Sequence, residues 1–120
     1  MRRVYDDSKY DEVAAVVNAV IQTVNPNQVA EYSWGINRAN GSLIRSEILN
    51  KTSYIKFGRN VNNTGIGNNA CYELIYTGND QEEQIVGLFH CTDDMYGGQI
   101  CWVSDIDGGR STKSRTIRPR

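Results

Sequence analysis

Hydrophobic and polar positions divide the chain into one segment of helical period followed by several short alternating ones. Val13, Val16, Val17, Val20, Ile21 and Val24 recur at i, i+3, i+4, i+7, i+8 and i+11, which is the single apolar stripe of an amphipathic helix. The pattern predicts a helix over residues 9–24. Ser8 is placed to be its N-cap, and Asp11 stands where a capping box carries an acid. Pro26 forbids continuation and pushes Asn25 out of the α region. Valines are weak helix formers, so this helix needs a surface to pack on.

Period two takes over afterwards. Tyr32, Trp34 and Ile36 alternate with polar residues, predicting a strand over 31–38, and Asn40-Gly41 is a strong type I′ hairpin signal. Segment 42–50 fits both periods: Ile44, Ser46 and Ile48 alternate, while Leu43, Ile44, Glu47 and Ile48 fit a short helix. The hairpin turn favours the strand. Further strands are expected at 53–59, 70–76, 84–91 and 99–105, separated by the Asn-rich loop 60–69 and the clusters TGND and TDDMYGG. The expected fold is therefore α+β: an N-terminal helix packed on an antiparallel sheet of about six strands. Residues 1–107 form one domain, and 108–120 form a basic, flexible tail with room for one more short strand.

Composition agrees with a sheet. Ile and Val number 21 against four Leu, and β-branched side chains fit a pleated surface. A single domain is expected for 120 residues. No apolar run reaches the length of a membrane span, and the start MRRVYDDSKYDE lacks the apolar core of a signal peptide. A cytoplasmic location follows, with Cys71, Cys91 and Cys101 as reduced thiols. The three sequons at Asn40, Asn50 and Asn62 then carry no meaning. Small size and 12 Asn suit an accessory gene of a phage or mobile element.

Charge changes the picture more. The net charge of −1 divides unevenly: residues 108–120 hold five of the 13 basic residues and no acid, which leaves eight bases against 14 acids, or −6, in the rest. An acidic body with a basic tail points to partners, although nucleic acid is not among those expected at this net charge.

Several chemistries can be weighed. Cys71, His90, Cys91 and Cys101 lack the tight C-x(2–4)-C knuckle of a structural zinc site. A Cys/His nucleophile would use His90 and Cys101, which requires both on one face of the sheet. If residue i of one strand pairs with residue 190−i of the next, His90 opposes Ile100 and Cys101 faces away. Asp93-Asp94 and Asp105-x-Asp107 lie at opposite ends of that hairpin, too far apart for joint acid–base work. Asp105-Ile106-Asp107-Gly108 opens like a calcium loop but lacks the closing ligands. GGRSTKS lacks the glycines of a phosphate loop. No metal and no cofactor are expected.

Arg and aromatic residues suit an anion instead. Guanidinium binds carboxylate or phosphate bidentately. Arg110, Lys113 and Arg115 would neutralise phosphate, Trp102 or Tyr76 would stack, and Arg59 and Asn68 complete the candidate set. These features point to a non-catalytic protein that binds a small anionic, nucleotide-like ligand near a subunit interface. An inhibitor, immunity or accessory protein that masks a protein surface is the alternative, and a Cys/His enzyme is the third. A sheet covered on one side leaves its other face free, favouring a homo-oligomer or a captured partner.

Overall fold

A computed structural model describes residues 4–25, 36–61, 70–94, 96 and 98–118. Helix α1 spans Tyr10–Thr23 and α2 spans Ile36–Lys51. Five strands follow: β1 (Ile55–Asn60), β2 (Ala70–Thr77), β3 (Glu83–Asp93), β4 (Gln99–Ser104) and β5 (Arg115–Ile117). They make one antiparallel meander in the order β1-β2-β3-β4-β5. The fold is α+β with the N-terminal helix on the sheet, as the hydrophobic pattern predicts.

The valine stripe of α1 is buried as its period requires. Val13, Val17, Val20, Ile21 and Val24 are between 0 and 5 % exposed, and they meet Phe89, Cys91, Cys101 and Val103 from the sheet. The helix begins differently from the expectation. Lys9 occupies the N-cap with no side-chain cap bond, and the backbone N–H of Ser8 donates to Asp6 Oδ1 at 2.9 Å in the turn before it. Pro26 lies outside the described residues, but α1 does end at Thr23, with Val24 already extended.

Segment 42–50 is helix, not strand, and the hairpin expected at Asn40-Gly41 does not form, since both residues lie inside α2. Ile44 and Ile48 decide the matter. Four residues apart, they share one helix face, and both are fully buried in the core shared with α1. A strand over 31–38 cannot extend past Gly35, because α2 starts at Ile36; residues 31–35 lie outside the described set. Among the described residues, five strands stand where about six were expected.

Both helices cover the same face of the sheet. Two irregularities set what the opposite face displays. Leu74 pairs with Gly87 and Ile75 with Ile85, so Val86 is an extra residue in β3. In β1, Phe57 pairs with Leu74 but Asn60 with Tyr72, placing Gly58 and Arg59 across from Glu73. Such bulges turn side chains to new directions. Gly58 is needed there: a Cβ would stand 2.9 Å from Glu73 Oε1.

Residues 108–118 return along the body. β5 adds to the β4 edge, and Thr112 N–H donates to Val103 O at 2.8 Å.

Candidate functional site

The helix-free face is built from residues that alternate with the core. Phe89, Cys91, Cys101 and Val103 point to the helices, so Leu88, His90, Ile100, Trp102 and Ser104 point away. Cys71, His90 and Trp102 fall in one cross-strand row. The His90 imidazole lies flat on the Trp102 indole, with centroids 4.7 Å apart and planes 3° from parallel. His90 Nε2 is 2.7 Å from Ser104 Oγ, and Ser104 Oγ donates to the Asp105 carbonyl at 3.1 Å. The hydroxyl has one proton for that carbonyl and for Nε2, so the direction of its bond to His90 follows the ring's tautomer. Burial pushes the His90 pKa down from 6.5, so the ring is neutral near pH 7.

At the β1 edge of this face, Glu73 is fully buried. It accepts from the Tyr5 hydroxyl at 3.2 Å and from the Arg59 N–H at 3.3 Å. The Arg59 Nε stands 3.6 Å from the same carboxylate, with the Arg59 side chain 58 % exposed against 0 % for Glu73. Lys56 pairs with Glu83 in the same sense: the cation is 50 % exposed and the acid 22 %. The rim therefore turns cations outward and keeps their carboxylates inward.

The expected phosphate-binding set does not assemble. Arg110 bonds Asp7, Asp105 and Asp11 at 2.8, 3.1 and 3.3 Å and lies 4.6 Å over the Tyr10 ring. Arg115 pairs with Cys101 across the strands, so it points to the helix-bearing side. There its Nη1 donates to the carbonyls of Ile21 and Val24 at 2.7 and 2.8 Å, capping the end of α1. Lys113 is exposed, and its carbonyl accepts from Gln22 at 3.3 Å. Trp102 is on the opposite face from Arg115. Tyr76 is on the helix-bearing side, edge-on to Tyr54 at 5.6 Å, where with Ser8, Lys9 and Gln84 it lines an open depression of about 390 Å³. Among the described residues of the expected ligand-binding set, only Trp102 and Arg59 share the helix-free face. Asn68 lies outside the described residues.

His90 and Cys101 do not meet. His90 opposes Trp102 rather than Ile100, a shift of two residues from the expected register, and a two-residue shift preserves faces. The thiol opposite His90 is Cys71, which the sequence did not single out for that role. Burial, and then the charge of Glu73, push its pKa up to about 11, so it is not an activated nucleophile at neutral pH. Ser104 and Tyr5 were also missed, because their roles depend on the register and on a bridge from Tyr5 to Ile85. Among the described residues, no three His, Cys, Asp or Glu side chains are placed to hold a metal ion, and no helix is long and apolar enough to cross a membrane.

Comparison with known proteins gives no match to a family model, a curated protein or a solved structure. The geometry carries the functional argument alone.

Proposed function

We propose that the chain is a non-catalytic binding protein that masks a protein surface with the helix-free face of its sheet. The observation that carries this is the stacked His90–Trp102 pair at the centre of that face. Leu88 and Ile100 flank it half-buried, and the outward cations of Arg59 and Lys56 stand at the rim. An apolar, aromatic-centred patch with a charged rim is the usual anatomy of a protein interface. Small-molecule sites are concave, and the depression beside Tyr76 lies on the helix-bearing side, away from this pair. The partner's chemistry follows from the rim: an apolar surface bordered by carboxylates that meet Arg59 and Lys56.

Arg59 and Trp102 on one face also support a second reading, a planar anion lying across the strands. They sit three strands apart, about 14 Å at ordinary strand spacing, so such a ligand would be elongated.

Affinity capture with wild type, Trp102→Arg and Arg59→Glu, each checked for native circular dichroism, separates the readings. A stoichiometric protein held by wild type, lost with Trp102→Arg and weakened with Arg59→Glu, is the expected result. Retention by both variants would overturn it. A nucleotide retained without protein in native mass spectrometry would favour the second reading.

A further inference from the structure

Behind the stacked pair, on the helix-bearing face, Cys91 and Cys101 are direct cross-strand partners. Their sulfurs are 3.4 Å apart, and both residues are buried, at 2 and 0 % exposure. Opposed residues of antiparallel strands have Cα atoms about 4.5–5.5 Å apart, inside the range a disulfide spans. Bringing the sulfurs to a bond of about 2.05 Å needs a closure of only about 1.4 Å. Cys71 cannot compete, since it lies on the other face opposite His90. We propose that Cys91 and Cys101 are a reversible oxidation site, a latent disulfide that staples β3 to β4.

The oxidant class is a small peroxide, and the balance is simple. One thiolate sulfur attacks a peroxide oxygen, the O–O bond breaks, and a sulfenic acid forms. The second sulfur attacks the sulfenic sulfur, the S–S bond forms, and the S–O bond breaks, with the oxygen leaving as water. Two thiols and one hydrogen peroxide give one disulfide and two waters, the two electrons passing from sulfur to peroxide. A dithiol reverses the change by exchange. Access comes through opening of the edge. β5 is only three residues long and borders β4, and local opening at such an edge costs less than global unfolding. The hydrogen bond from Cys101 and then burial hold the Cys91 thiol well above its ordinary pKa, so the reaction is slow at neutral pH and accelerates as pH rises. The inference does not depend on what the helix-free face binds. The residues adjoining the site, His90 and Trp102, make indole fluorescence a direct reporter of closure.

Reduced protein treated with hydrogen peroxide, then unfolded and alkylated, is the test. Wild type and Cys71→Ala should both lose two hydrogens in mass and two alkylatable thiols, recover both with dithiothreitol, and melt several degrees higher when oxidised. In wild type the remaining alkylated thiol should map to Cys71. Cys101→Ala should form no intramolecular disulfide and gain oxygen instead. Two results would overturn the proposal. One is Cys71→Ala retaining both thiols at doses that oxidise Cys71 in wild type. The other is disulfides in wild type that all pass through Cys71.

Discussion

His90 is the residue where burial and chemistry oppose each other most directly. Its ring is stacked on Trp102, hydrogen-bonded to Ser104, and has a pKa lowered by burial from 6.5. The unfolded chain therefore binds a proton more readily than the folded one between the lowered value and 6.5, and stability falls as pH drops through that window. Urea midpoints should decline from pH 7 to pH 5 in wild type and flatten over that range in His90→Gln. An unchanged slope in the variant would mean that another group carries the effect. Arg115 makes a different residue-scale point. Composition marks it as a phosphate ligand, yet it caps the carbonyls of Ile21 and Val24, which an α-helix end leaves without partners. Arg115→Ala should cost about 1.5–3 kcal/mol by chemical denaturation, the range for a lost charged hydrogen bond, and leave capture of a partner intact.

The elements show which sequence signals survive tertiary packing. α1 was readable because six apolar positions agree on one helical period, and a false stripe of that length is rare. β2, β3 and β4 were readable from β-branched runs bounded by turns. α2 was not, since the four-residue interval between Ile44 and Ile48 satisfies both periods, and Asn40-Gly41 tips a local reading towards a hairpin. What decides is non-local: the pair is fully buried against α1 and the sheet. Ser46 tests this directly, because a strand would place it inward with Ile44 and Ile48, whereas the helix leaves it exposed. Ile48→Ala should cost about 2–5 kcal/mol, and Ser46→Ala should stay within about 0.5 kcal/mol, both read from denaturant midpoints. The site was half readable for a related reason. Trp102 could be chosen as a stacking residue from its type and strand. Its partner His90 follows from the register of the 94–98 turn, where Asp94 Oδ1 accepts from the N–H groups of Tyr96 and Gly98 at 2.8 and 2.7 Å. The Cys71–His90 pairing needs the extra residue Val86, which no periodicity announces.

At the scale of the whole molecule, the separation of acidic body and basic tail becomes internal pairing. Arg110 joins Asp7, Asp11 and Asp105, and Arg118 joins Asp94. Charge that looked available to a ligand binds the end of the chain to its beginning instead. Burial raises the carboxyl pKa of Asp105, but the bond from Arg110 and the N–H groups of Arg110, Gly109 and Gly108 outweigh it, so Asp105 lies below its ordinary 3.8. At Asp94 the same opposition is won by Arg118 and the N–H groups of Gly98 and Tyr96. Depressed carboxylates stabilise the fold above the unfolded value and lose that contribution as pH falls below about 3.8, a window separate from that of His90. Arg110→Ala should therefore make the loss of stability between pH 4 and pH 2 shallower while leaving the pH 7 to 5 slope unchanged, measured as urea midpoints across the range. Arg110 lies away from the helix-free face, so the same variant should capture the partner as wild type does. Loss of capture in a folded Arg110→Ala protein would return the recognition surface to the tail.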